Sequence, residues 1–263
     1  MRKHRIGVVG AGVMGEALIR SLQDSGIPST SITIVEKKLE RREYIRSKYS
    51  VAGYPISECD VVFIVVKPQD FESTLSELAT SIGKEALVIS FIAGKMCEKI
   101  ESKLVQGQRV VRAMPNTPMA FGKGFTALSK GAGASDADIK LVRELLSHSG
   151  LVVEVEEKHL GAITALSGSG PAYFFFLVEA MAKAGQNLGL DEKDSLLAAE
   201  QVLIGAAEML EKSGKDSKTL REEVTSPNGT TAAALASFES SGWEEIVYEA
   251  MKAAKDRSEE LSN

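Results

Sequence analysis

The short apolar run Ile6-Gly7-Val8-Val9 passes directly into Gly10-Ala11-Gly12-Val13-Met14-Gly15, and Glu16 to Leu22 continues with helical spacing. A G-x-G-x-x-G stretch held between a strand and a helix leaves the start of the chain little choice but a βα turn. Gly10 permits the tight turn, Gly12 lets a pyrophosphate approach the backbone, and Gly15 lets the helix lie against the sheet. The helix start then offers free N–H groups and a favourable dipole to an anion. The expectation is a dinucleotide site.

The rest of the N-terminal half supplies the sheet such a turn needs. Short β-branched runs at Ile6 to Val9, Ile32 to Val35, Val61 to Val66, Leu87 to Ser90, Arg109 to Arg112, Phe125 to Leu128 and Val152 to Val155 alternate with helix-like stretches. That is the pattern of βαβ units. The unbroken apolar run from Val61 to Val66 calls for a strand covered on both faces. Ser135 followed by Asp138 reads as a helix N-cap, with Gly150 beyond the helix end. After about residue 156 the strand pattern vanishes, and helices are expected near 158–168, 171–188, 191–212, 216–224, 229–240 and 242–261, with Asp191 and Thr225 or Ser226 among the caps. The expected fold is therefore an α/β Rossmann-like domain with a mostly parallel sheet over 1–156, then an all-α domain over 157–263. Ala172 to Ala182 reads as a buried helix, interrupted by Glu179 and too short to span a membrane. Leu196 to Leu210 is apolar around most of its circumference, which fits either a central core helix or a helix buried between subunits.

Composition narrows the function classes. With 44% hydrophobic and 25% charged residues the 263-residue chain is of ordinary globular type, and a net charge of -5 disfavours a nucleic-acid partner. Cys59 and Cys97, with three histidines in all, make neither a disulfide framework nor a metal-ligand pattern. His4, His148 and His159 read as surface or helix-end residues. No secretory or membrane-spanning stretch is apparent, so a cytoplasmic location is expected.

Further candidates lie at strand ends and before helices. Glu36 ends the second strand, where a carboxylate accepts hydrogen bonds from an adenosine ribose and favours NAD. Lys37, Lys38, Arg41 and Arg42 follow at once and offer cations to a 2′-phosphate, or simply form a solvated helix face, so cofactor choice stays open. At Val66-Lys67-Pro68 the backbone is expected to face the cofactor crevice and the lysine side chain to face solvent. In Ala113 to Pro118 two prolines fix a loop around Asn116-Thr117. Leu166 to Tyr173 reads as a glycine-rich break that restarts a helix at Pro171. Val224 to Thr231 packs hydroxyls and turn residues before a helix whose free N–H groups suit a carboxylate, although simple N-capping by Ser or Thr is enough on its own to explain it.

Taken together, GAGVMG at 10–15, VKP at 66–68, RAMPNTP at 112–118, ALSGSGPAYFF at 165–175 and VTSPNGTT at 224–231 resemble the pyrroline-5-carboxylate reductase family over essentially the whole chain. The resemblance implies reduction of L-1-pyrroline-5-carboxylate to L-proline by hydride from NADPH or NADH. It also implies a homodimer interlocked through the helical domain, often assembled into a ring of dimers. Carried onto this sequence, Gly10, Gly12, Val13, Met14 and Gly15 hold the pyrophosphate. Val66, Lys67 and Pro68, with Met114, Pro115 and Asn116, border the nicotinamide. Ser226, Gly229 and Thr230 receive the substrate carboxylate, and the Thr231 hydroxyl meets the ring nitrogen. One departure is Asn228-Gly229 where the family usually has two glycines; asparagine is the side chain that best tolerates a left-handed backbone there.

Two rivals are weighed against this. A β-hydroxyacid-type dehydrogenase shares the two-domain plan but uses a lysine acid/base, and Ser167 to Glu179 contains none. A non-catalytic NAD(P) sensor needs the glycine loop but has no use for the two hydroxyl-rich turns of the helical half.

Overall fold

The computed structural model describes residues 4–260. The chain divides into two units, one running to Ser169 and taking back the chain from Ala254, the other Gly170–Ala253.

The first unit is built on seven strands and the helices between them. In chain order they are β1 (Ile6–Val9), α1 (Val13–Asp24), β2 (Ile32–Val35), α2 (Leu39–Tyr49), β3 (Val61–Ile64), α3 (Phe71–Leu78), β4 (Leu87–Ser90), α4 (Cys97–Glu101), β5 (Arg109–Met114), β6 (Gly124–Lys130), α5 (Asp136–Leu145), β7 (Gly150–Glu154) and α6 (Leu160–Ile163). The sheet order is β2-β1-β3-β4-β5-β6-β7, with only β5 and β6 antiparallel. Alternate residues of each strand feed opposite layers. Val61 and Phe63 of β3 pack with Leu18, Ile45 and Val142 on one face, while Val62 and Ile64 pack with Phe71, Leu75 and Ile100 on the other. Burial on both faces is what the apolar run demands, and it makes this a doubly wound sheet.

Several boundaries differ from the sequence reading. β3 stops at Ile64 rather than Val66, because the chain turns away where β1 gives out at Gly10; Val65 still donates its N–H to Val9 O at 2.7 Å. Ser135 does cap α5, in a reciprocal capping box with Asp138. Gly150, however, opens β7 at φ 126° instead of closing the helix. A Cβ there would lie 2.1 Å from Gly124 O, so only glycine lets the two strands approach.

The glycines after Leu166 do not break the helix. Thr164–Gly168 winds as a wider turn in which Ser169 N–H donates to Thr164 O at 2.9 Å, so helical backbone runs from Glu157 to Asn187. By length and composition alone that run is long and apolar enough to cross a membrane, which corrects the expectation of a stretch too short to span.

The second unit comprises α7 (Gly170–Asn187), α8 (Glu192–Lys212), α9 (Ser217–Glu223), α10 (Thr230–Ser240) and most of α11 (Trp243–Glu260). Asp191 caps α8, accepting from Asp194 N–H at 2.8 Å. Neither Thr225 nor Ser226 caps α10. The N-cap is Gly229, with no side-chain hydrogen bond, and the Thr225 hydroxyl donates back to Arg221 O. The unit's buried apolar cluster is small, Val178 and Ala182 of α7 against Ala199 of α8. The expectations of a buried Ala172 to Ala182 helix and of a central core helix at Leu196 to Leu210 therefore both fail within one chain. Phe174, Phe175, Phe176 and Met181 are exposed, as are Leu196, Leu197, Val202 and Ile204.

Candidate functional site

The carboxyl ends of β1 and β3 adjoin where the sheet order reverses direction, and open α/β sheets carry their ligand crevice at such a point. A cleft of about 970 Å³ opens there. Gly10, Gly12, Val13, Met14, Glu36, Lys37, Val66 and Lys67 all line it, so eight of the sequence candidates meet in one cavity. Its volume is that of a ligand-binding pocket.

The three glycines of the loop have distinct duties. Gly10 sits at φ 92° with Val65 O 2.5 Å from where a Cβ would stand, and at Gly15 a Cβ would come within 2.1 Å of Gly10 O. Both are forced by the protein's own packing. At Gly12 nothing lies within 4 Å, so that glycine keeps open space over the loop. Gly12 is also the N-cap of α1 and supplies no side-chain cap, leaving the first-turn amides to face the cleft. A residue whose smallness serves no protein contact, above unsatisfied N–H groups at a helix start, fits a pyrophosphate.

Glu36 is fixed by backbone donors, its Oε2 accepting from Ala11 N–H and its Oε1 from Lys38 N–H, each at 2.9 Å. The basic residues behind it are largely engaged. Lys37 pairs with Glu77 at 3.2 Å. Arg41 donates from Nε to Ala11 O at 2.6 Å, from a terminal nitrogen to Gly12 O at 3.1 Å, and forms an ion pair with Glu16. Lys48 and the Tyr49 hydroxyl also donate to Glu16, at 2.8 and 3.0 Å. Burial works to raise the Glu16 pKa, but the hydrogen bonds from Lys48, Arg41 and Tyr49 outweigh it and bring the carboxyl from 4.5 down to about 2. Its hydrogen bonds to Glu16 and to the Tyr44 hydroxyl hold the Lys48 ammonium above its usual range. Sequence reading missed Glu16, Lys48 and Tyr49; an acidic residue in the first turn of α1 was the available signal.

Gly15 is buried beneath the loop and does not line the cleft, nor do Pro68, Met114, Pro115 and Asn116. The Asn116 side chain, 9% exposed, is spent on structure. Its Nδ2 donates to Ser167 O and Oγ at 3.1 and 3.2 Å, and its Oδ1 accepts from Phe125 N–H at 2.8 Å. The cause lies in the sequence of the wide helical turn. Pro171 has no N–H to give to Ser167 O four residues back, and Asn116 takes that carbonyl instead. Arg112 likewise turns inward to Glu157 at 3.1 Å, and Glu157 also accepts from Cys97 N–H.

In the second unit, Ser226-Pro227-Asn228-Gly229 forms a turn closed by Gly229 N–H to Ser226 O at 3.0 Å. Asn228 takes the left-handed backbone at φ 58°, the conformation that its tolerance suggested. Thr230 and Thr231 then open α10, whose first-turn amides have no cap. Thr231 is half-buried and Thr230 exposed. No group of three His, Cys, Asp or Glu side chains able to hold a metal ion occurs among the described residues. Both cysteines are buried and free, and burial pushes the Cys59 and Cys97 thiols up to about 11 and 12.

Residues 157–261 match the model of the pyrroline-5-carboxylate reductase dimerisation domain, and 5–94 match that of the coenzyme F420-dependent NADP oxidoreductases. The chain is 38% identical to pyrroline-5-carboxylate reductase of Pseudomonas aeruginosa over 100% of its own length and 98% of the relative's. A pyrroline-5-carboxylate reductase structure from Coxiella burnetii superposes with a TM-score of 0.91 at 33% identity, covering 100% of both chains. A Plasmodium falciparum pyrroline carboxylate reductase with NADP bound gives 0.85 at 27% identity, again over 100% of both. The chain belongs to the pyrroline-5-carboxylate reductase family.

Proposed function

We propose that the chain is an NAD(P)H-dependent oxidoreductase that reduces L-1-pyrroline-5-carboxylate to L-proline, the closing step of proline biosynthesis. The observation that carries the reading is the whole-length likeness to relatives of that name, which takes in both the nucleotide cleft and the hydroxyl-rich turn at 226–231. Residues 1–156 are assigned to nucleotide binding and 157–263 to substrate binding and dimerisation.

The roles of the residues follow from their chemistry. When bound, the nicotinamide supplies a hydride to the electrophilic imine carbon. The amides after Gly12 and at Val13, Met14 and Gly15 hold the pyrophosphate, and Glu36 and Lys37 border the adenosine ribose. Val66, Lys67 and Pro68, with Met114, Pro115 and Asn116, shape the nicotinamide side. For Asn116 the role is positioning, since its side chain secures the loop to Ser167. Ser226, Gly229 and Thr230 receive the carboxylate on the uncapped start of α10. The Thr231 hydroxyl hydrogen-bonds the ring nitrogen, so one turn fixes both ends of the N–C–COO unit.

The same proposal includes a homodimer built by the helical domain, supported by the match to a dimerisation domain and by the exposed apolar faces of α7 and α8. Assembly of dimers into a ring and a cytoplasmic location are part of the reading as the family resemblance implies them. The test is oxidation of NADH and NADPH followed by absorbance with L-1-pyrroline-5-carboxylate, and with a β-hydroxyacid and NAD(P)+ as control. Stoichiometric proline formation is expected. Cofactor binding without turnover would favour a sensor, and alcohol oxidation a dehydrogenase.

A further inference from the structure

We propose that this chain selects NADH over NADPH, with Glu36 reading the adenosine ribose and Glu16 withholding Arg41 from a 2′-phosphate. The inference rests on the nucleotide-binding role assigned to the cleft, and it concerns what that cleft prefers.

An ionised carboxylate offers about four acceptor positions on its two oxygens. In Glu36 each oxygen takes one backbone N–H, from Ala11 and Lys38, which fixes the group while leaving each oxygen able to accept again. Two remaining acceptor positions at the carboxyl end of β2 match the two ribose hydroxyls of NADH. A 2′-phosphate at the same point would bring about -1.5 to -2 charge against the carboxylate, and with no proton to donate it would not fill the acceptor position that the 2′-hydroxyl takes.

A phosphate could still be accommodated if the cations after β2 were free to answer it. Lys37 is paired with Glu77, and Arg42, whose Nε makes no hydrogen bond although Glu43 lies 3.8 Å away, does not line the cleft. Arg41, whose planar fork is the group best shaped for a phosphate, has Nε and one terminal nitrogen committed to the carbonyls of Ala11 and Gly12 and to Glu16. Glu16 is itself held by Lys48 and Tyr49, so the arginine is one spoke of a network rather than a loose surface charge. Lys38 alone of this basic run lines the cleft with no such tie. It is exposed, and Glu36 stands two residues away to offset it. Arg41, itself at the cleft wall, thus braces the carbonyls of the glycine loop, and the loop's shape and the refusal of phosphate come from the same contacts.

The test is direct titration of the purified, full-length protein with NADH and with NADPH, read by enhancement of nicotinamide fluorescence, alongside steady-state kcat/KM for each. A dissociation constant at least about tenfold lower for NADH is expected, the scale set by one unfavourable charge contact near the surface. Glu36→Gln keeps the size and removes the charge, and should bring the two constants together. Glu16→Gln releases Arg41 and should tighten NADPH about threefold or more while moving NADH less. Equal or tighter binding of NADPH by the unaltered protein overturns the proposal, whatever the variants do. An unchanged NADPH constant in folded Glu16→Gln overturns the withholding role of Glu16. Because binding is read without substrate, NADH-selective binding with no consumption of L-1-pyrroline-5-carboxylate would refute the proposed reaction and leave this inference standing.

Discussion

Substituting alanine at Gly12 and at Gly15 separates what the loop does for the cofactor from what it does for the fold. At Gly12 an added Cβ has no protein atom within 4 Å, so the packing has nothing to lose. The structural cost is the poorer helix start that alanine makes compared with glycine, about 1 kcal/mol, which for a protein of this size moves a melting midpoint by about 3 °C. The same methyl projects into the space over the α1 amides. If it removes even one hydrogen bond to a charged phosphate oxygen, worth about 1.5–3 kcal/mol, NADH binding weakens roughly 10- to 150-fold. Gly15→Ala reverses the pattern. Its Cβ would stand 2.1 Å from Gly10 O and 3.1 Å from Gly10 C, a backbone contact that no rotamer change relieves. Overpacking against backbone costs about 2–3 kcal/mol, or a midpoint lower by about 5–10 °C. Circular dichroism melts with and without NADH, together with fluorescence titration, read both quantities. A Gly12→Ala protein that binds NADH like the unaltered chain, or a Gly15→Ala protein that melts with it, would refute this division of labour.

Three further outcomes follow from particular contacts. Because Glu16 titrates at about 2 when folded and 4.5 when free, its stabilising contribution is present above pH 4.5 and lost as pH falls toward 2. Unfolding free energies from urea titration of Glu16→Gln and the unaltered protein should differ by about 1–3 kcal/mol near pH 6 and converge as pH falls to about 2 and below; a constant gap would refute the network. Phe176, 72% exposed in the single chain, should tolerate Phe176→Glu locally while the variant fails to dimerise, and an unchanged mass by light scattering would contradict the helical interface. Thr231→Val keeps shape and loses one hydroxyl, so kcat/KM for L-1-pyrroline-5-carboxylate should fall about 5- to 150-fold with NADH binding unmoved, whereas unaltered kinetics would leave Thr231 a mere helix residue.

The glycine loop and the strands around it were legible because local rules settle them. Val61 to Ile64 is buried on both faces and β-branched at all but Phe63, Ser135 and Asp138 are three residues apart, and Gly10 to Gly15 lie at one strand-to-helix junction. What lay hidden depends on residues far apart in the chain. Arg41 reaches Glu16 across 25 positions and Tyr49 across 33, so no spacing rule could join them. Asn116 is the sharper case. The family resemblance set it beside the nicotinamide, while its side-chain amide is claimed by a carbonyl that Pro171 leaves free, 51 positions away at Ser167. The glycines of Leu166 to Tyr173 signalled a break, and the backbone instead absorbed them as one wide turn of an unbroken helix.

The helical half exposes a limit of a different kind. Periodicity tells which side chains must leave water, and not which molecule covers them. On α7, Val178 and Ala182 stand one turn apart and meet Ala199 of α8, with half-buried Leu203 packed against them, and that stripe is the buried apolar cluster of the pair among the described residues. Phe174, Phe175 and Phe176 are consecutive, so on a helix they point about 100° apart and cannot share one stripe. Leu196, Leu197, Val202 and Ile204 spread around α8 in the same way. Each large apolar side chain left in water forgoes about 1.5–3 kcal/mol of burial, and a helical segment with so small a core of its own has no reserve to offset several at once. Helices apolar around most of their circumference, with so small a buried cluster between them, are therefore better understood as half of a core whose other half is a second copy of the chain. On that argument the stability of this unit should depend on protein concentration, as it does wherever folding and association are one process.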